Sequence, residues 1–128
     1  QYTVVDYIIG GSMQSKEALL AGFVTEMRRG AIALAVLSRL AEPGYGYQLV
    51  RDLAESGVPV EANTLYPLLR RLEEQALLRS DWDMREGKPR KYYQRTETGT
   101  EVYERWRAEW KQFSVSFNSL LEDNHEVK

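Results

Sequence analysis

Three cations crowd a short turn in this chain. Lys88, Arg90 and Lys91 stand around Pro89, next to Gly87. Cations at a hairpin tip are suited to contact phosphates, although a solvated turn carries charge at little cost. A second group lies upstream, at the start of an apolar-periodic stretch: Asn63, Thr64 and Tyr66, followed by Arg70 and Arg71. Asn can pair with the edge of adenine and a Thr methyl can touch thymine. Asn63 has an equally good structural reading as a helix N-cap. Tyr66 is expected to reach a phosphate or base edge, because Leu65, Leu68, Leu69 and Leu72 already fill an inner stripe. Arg70 and Arg71 cannot face the same way. One is expected to pair with Glu73 or Glu74 and the other, Arg70, to face phosphate.

The elements that must position these residues follow from periodicity and breakers. Ser15 caps a helix through Ala18, Leu19, Gly22, Phe23 and Met27. A second helix, from about Arg29 to Ala41, carries Ile32, Leu34, Val36, Leu37 and Leu40 with little polar face, so burial is expected. Pro43-Gly44 and Gly46 break the chain. A short helix follows with Leu49, Val50 and Leu53 inward, ended by Gly57. The next helix starts near Ala62 or Asn63, with Pro67 close to its first turn, and ends near Gln75. Leu77 to Asp83 and Lys91 to Arg95 read as paired strands, with Met84 to Arg90 as the tip. One of Tyr92 and Tyr93 should be buried, since they point to opposite faces.

A long helix runs from about Glu97 to Leu121. It starts at Thr96, or at Thr98 with Glu101 as a capping box. Tyr103, Trp106, Trp110, Phe113, Phe117 and Leu120 follow at spacings of 3, 4, 3, 4 and 3. That is an a/d seam, which a symmetric partner would cover, with help from Leu19 and Phe23. The alternative is packing on its own domain. The expected fold class is mainly α with a small β-hairpin: a winged helix-turn-helix with a long C-terminal dimerisation helix. Its second helix fits a DNA major groove.

Composition narrows the alternatives. The chain has 128 residues, 43% apolar and 28% charged, with no Cys. Disulfides and thiolate metal sites are excluded, which fits a cytoplasmic location. No apolar run is long enough to span a bilayer, so no membrane partner is expected. The single His, His125, stands beside no Ser or Cys nucleophile, and there is no Gly-rich phosphate loop. An enzyme is therefore disfavoured, and no cofactor or metal is expected. The net charge is only −2, but residues 62–95 hold eight Lys/Arg against five Asp/Glu, whereas residues 96–128 hold four against seven. A basic middle on an acidic chain permits a local nucleic-acid face.

Four boxes, in order, resemble the PadR family of transcriptional regulators. Gly46-Tyr47-Gln48-Leu49-Val50 is similar to its "GYxL" box, and Asn63 to Glu73 to its "TLYPxLxRLE" signature. Lys88 to Tyr93 resembles its "RKYY" wing, and Thr96-Glu97-Thr98-Gly99 its last-helix start. Met27-Arg28-Arg29-Gly30 resembles its opening. Two departures stand out: Tyr45 where the family often has His, and Arg95 where it often has Leu. The resemblance implies a homodimeric repressor that binds double-stranded DNA at a pseudo-palindrome. It also implies the short subclass, which dimerises through one long helix. Trp110, eleven residues after Gly99, resembles the drug-stacking tryptophan of multidrug-binding members. Trp106 and Trp110 could then hold a small planar aromatic effector, although aromatics at helical spacing more often pack a seam. The rival from another class is a winged-helix protein-interaction module that leaves DNA alone.

The expected organisation is 1–12 as an appended peptide and linker, 13–28 as an N-terminal helix, 29–95 as the DNA-binding domain, and 96–128 as the dimerisation helix and tail. The first part rests on the β-branched and aromatic run Tyr2 to Ile9, then Gly10-Gly11-Ser12, then Met13 like a native start.

Overall fold

A computed structural model describes residues 14–126, with side chains through Glu122. The expected peptide and linker at 1–12 lie outside the described residues. Seven elements follow in order: α1 (Lys16–Ser38), β1 (Gly44–Tyr45), α2 (Gly46–Glu55), α3 (Ala62–Glu74), β2 (Leu78–Asp83), β3 (Arg90–Arg95) and α4 (Glu97–Glu126). The chain divides into two units, one ending at Ala31 and one beginning at Ile32.

In the first unit, α1 begins with a capped turn. Ser15 Oγ accepts the Ala18 N–H at 3.1 Å, which satisfies one of the orphan donors of a helix start. Leu20, Phe23 and Met27 are exposed. The two helices expected around Met27 to Gly30 are one helix, Lys16–Ser38. A lone Gly30 among Ala, Leu, Met and Arg costs only about 1 kcal/mol of helix propensity, too little to end a helix without a proline or a cap.

In the second unit, Val36, Leu37 and Leu40 meet Leu49 and Leu53 of α2, Leu65, Leu69 and Leu72 of α3, and Leu78 and Tyr93 of the sheet. These stripes were laid down by helical spacing, and their burial is what fixes the helices relative to the strands. Truncating Leu65 or Leu69, both fully buried, should cost about 2–5 kcal/mol.

The connections are built from local backbone chemistry. Helix α2 ends in a Schellman motif: Gly57 has φ +88°, Gly57 N–H reaches Ala54 C=O at 3.1 Å, and Val58 N–H reaches Leu53 C=O at 2.8 Å. Helix α3 ends the same way, with Ala76 N–H to Glu73 C=O and Leu77 N–H to Leu72 C=O, both 2.9 Å. Here the left-handed position is Ala76, at φ +64°. Thr96 settles the start of α4. Its Oγ1 accepts the Gly99 N–H at 2.9 Å and donates to Ala76 C=O at 2.7 Å. A side chain on Gly99 would collide with the Leu77 carbonyl, so this first turn passes the α3 terminus at backbone distance.

The wing is larger than a hairpin. Strands β2 and β3 pair antiparallel from Leu78↔Arg95 to Asp83↔Arg90, and β1 adds a third strand through Gly44↔Tyr93 and Tyr45↔Tyr92. Residues Gly44 and Tyr45, expected only as a break, thus form a sheet edge. Tyr93 is the buried member of the tyrosine pair. Arg95 explains its place where an apolar residue was expected. Its Nη1 donates to Leu37 C=O at 3.0 Å near the C-terminus of α1, and its guanidinium lies 4.4 Å from the Tyr103 ring centroid.

Candidate nucleic-acid interface

Helix α3 is the second helix of a helix-turn-helix with α2. Its N-cap is Glu61, and helical residues begin at Ala62. Asn63 is therefore the second helical residue and not the cap. It is exposed, as is Thr64, with Leu65 turned into the core. Pro67 sits inside the helix, one turn later than the expected first-turn position. Having no N–H, it leaves the Asn63 carbonyl without its helical donor.

Tyr66 has a packing role as well as an exposed edge. Its ring lies directly over Gly46, and a Cβ there would overlap the phenol. The glycine that opens α2 thus lets α2 and α3 cross closely. Tyr66 keeps 41% exposure beyond that contact. Arg70 and Arg71 are exposed. Among the described residues neither forms an ion pair, so the expected pairing with Glu73 or Glu74 is absent.

Glu73 instead ties α3 to the wing. It accepts the Ser80 hydroxyl at 2.6 Å and lies 3.8 Å from Lys91 Nζ. Burial, with the nearby negative charge of Glu73, pushes the Tyr93 phenol up from its ordinary value.

The three wing cations differ in their surroundings. Lys88 is exposed at the tip and, among the described residues, has no ion-pair partner. Lys91 faces Glu73. Arg90 is held: its guanidinium lies 4.6 Å from the Tyr45 ring centroid, Nη1 donates to the Tyr47 hydroxyl at 3.0 Å, and Nη2 reaches Glu86 at 3.3 Å.

A fourth cation, Arg85, was not anticipated as part of the wing chemistry. It donates through Nε and Nη2 to Asp83 at 3.0 and 2.9 Å, and Tyr45 donates its phenol proton to the same carboxylate. Asp83 is only 8% exposed. The hydrogen bonds from Arg85 and then from Tyr45 hold its carboxyl far below the usual carboxylate range. The same bond to Asp83, with burial second, raises the Tyr45 phenol. The sequence signal was an acid two residues before an arginine at a strand end, which is too common to single out.

The aromatic stripe of α4 divides. Tyr103 and Trp106 are half-buried and pack on the core of their own domain. Trp110, Phe113, Phe117 and Leu120 are between 46% and 58% exposed. Phe113 and Phe117 stack at 5.5 Å, and Trp110 lies 6.4 Å from Phe113. Trp106 and Trp110 are thus unequal: one is partly used by the core and the other is open. Among the described residues no cluster of His, Asp and Glu could hold a metal, and no helix is long and apolar enough to cross a membrane.

Residues 33–105, the stretch that carries the helix-turn-helix, the wing and the start of α4, match the Transcriptional regulator PadR-like family. The chain belongs to the PadR family. Similar proteins span the same region. The transcriptional regulator Rv3488 of Mycobacterium tuberculosis is 36% identical over 75 residues, covering 58% of this chain and 70% of that one. The crystal structure of a PadR family transcriptional regulator from Eggerthella lenta is similar at 49% identity and TM-score 0.77, covering 83% of this chain and 95% of that one. A PadR-like transcription factor from Bacteroides fragilis is 33% identical with TM-score 0.65, covering 77% and 98%. This PadR-family protein is accordingly a transcriptional regulator and not an enzyme. Its GYxL glycine is explained by the Tyr66 contact, and its Thr-x-x-Gly glycine by the Leu77 carbonyl.

Proposed function

We propose that this regulator is a repressor that binds double-stranded DNA as a homodimer. The observation that carries the reading is the exposed first turn of α3 packed beside a cation-bearing wing. Asn63 and Thr64 enter the major groove, with Tyr66 and Arg70 at the groove edge. Lys88, Arg90 and Lys91 meet phosphates. The acidic net charge is no obstacle, because affinity follows local cations and the counterions they release.

A dimer is the natural partner for the α4 stripe. Four large apolar side chains on one face are costly to leave in water, and a two-fold axis would cover both copies at once. Two recognition helices related by that axis require a pseudo-palindrome with half-sites about one helical turn apart.

Selection of bound duplexes from a random pool tests the reading directly. A pseudo-palindromic consensus bound with a steep salt dependence is expected. Recovery of no sequence, with no salt-dependent binding, would favour a protein-interaction module instead.

A further inference from the structure

Arg90 differs from every other cation of the wing in being both held and closed by a weak partner. Arg85 is locked bidentately onto buried Asp83 and is lost to any ligand. Lys88 is a point charge on a mobile stem, and Lys91 sits at 3.8 Å from Glu73. The Arg90 plane is fixed from two sides. Below it is Tyr45, whose ring is itself immobilised by its bond to Asp83 and by an edge contact with Tyr92 at 6.3 Å. Beside it is Tyr47, stacked on Tyr45 at 5.7 Å and accepting from Nη1 at 3.0 Å. The outer edge faces Glu86, which is 77% exposed and 3.3 Å away. That is long for a charge-assisted hydrogen bond, and an exposed pair of this kind is worth little.

We propose that Arg90 is a preset phosphate fork: Tyr45 and Tyr47 position its guanidinium, and Glu86 occupies its outer edge until a DNA phosphate displaces it. This rests on the DNA-binding reading. A carboxylate and a phosphate present similar paired oxygens to a guanidinium, so Glu86 stands where the phosphate would bind. The tyrosines stay in place through the exchange, because their contacts lie on the inner edge and the face. Holding a planar donor in advance removes the ordering cost of a long side chain at the moment of binding. Tyr47 is a positioning residue here and Glu86 a competitor.

The test measures affinity for the selected operator against salt concentration in single and double variants. Arg90→Ala should lower the salt slope by about one. Tyr47→Phe keeps the ring and the charge, so it should weaken binding about fivefold with the slope unchanged. Glu86→Gln should tighten binding about twofold. In an Arg90→Ala background neither change should have an effect. An equal loss from Tyr47→Phe in that background would make Tyr47 an independent contact, and an unaltered or weakened affinity in Glu86→Gln would remove the competitor. A measurement without DNA separates the two readings. Nitrogen-15 guanidinium signals of Arg90 should show restrained rotation in the wild type and averaging in Tyr47→Phe. Averaged signals in the wild type would overturn the fork by themselves, whereas absence of any operator binding would overturn the DNA reading and with it the displacement of Glu86.

Discussion

Single residues divide the proposed interface into those that read sequence and those that only attract phosphate. Lys88 is exposed at the wing tip, so Lys88→Ala should weaken binding to specific and random duplexes alike and reduce the salt slope by about one. Asn63→Ala should instead lower affinity by about 1–3 kcal/mol only on operators with the base it contacts, leaving random DNA unaffected. Competition between the two duplexes checks both. Because Glu61 and not Asn63 is the N-cap, the Asn63 change should leave the melting temperature close to wild type. Asp83 gives the wing a pH dependence. Its carboxyl is held below the ordinary range of about 4, so the folded state binds its proton less readily than the unfolded chain does. The stability it contributes is complete above that ordinary range and is lost as pH falls below it toward the depressed value. Urea unfolding midpoints measured from pH 6 down to pH 2.5 should fall less steeply in Asp83→Asn than in the wild type. Parallel curves would show that the Arg85–Asp83–Tyr45 contact does not control acid stability.

At the scale of elements, the joint between α3, the wing and α4 is the tightest part of the fold. Ala76 terminates α3 at φ +64°, where a side chain is strained and glycine is not. Ala76→Gly should stabilise the protein by up to about 1 kcal/mol, because the relief of strain exceeds the entropy that glycine adds to the unfolded chain. Gly99→Ala should do the opposite and more strongly, since the new methyl meets a backbone carbonyl and not a flexible side chain. Thermal unfolding of the two variants beside the wild type reads both signs. Equal melting temperatures in all three would mean that this joint is plastic.

For the whole molecule the deciding question is what covers α4. Phe113 is 58% exposed and stacks between Trp110 and Phe117, so it marks the centre of the uncovered stripe. If the stripe is the proposed dimer seam, Phe113→Glu buries an unpaired charge in each subunit and should split the dimer. Sedimentation should then give the mass of one chain, and operator affinity should fall by 10²-fold or about that, as the second recognition helix loses its effective concentration. A variant that stays dimeric with wild-type affinity would place the interface elsewhere. Tyr103 and Trp106 are less suited to this test, because they pack on their own domain and their loss would unfold it.

Much of this architecture was legible in the residues themselves. The periodic leucines of α3, the Gly57 cap and the Thr96 start are local signals, and local chemistry is enough to set them. The strands of the wing and its turn were equally plain, because alternation and Gly/Pro punctuation act over a few residues. Tertiary structure decided what depends on residues far apart in the chain. It joined two expected helices into α1, since a single glycine could not stop one. It turned Gly44 and Tyr45 into a strand, because an edge pair exists only once β3 lies beside it. It split the α4 stripe between core and solvent, which spacing could not do, as a 3–4 pattern says which face is apolar but not what meets it. Above all it gave the wing cations different fates. In sequence Lys88, Arg90 and Lys91 are one basic cluster, while in space only Lys88 stands unpaired and Arg90 is gripped by tyrosines more than forty residues away. Charge is written in the sequence, but whether a charge is free, locked or held ready depends on partners that folding alone brings within a hydrogen bond.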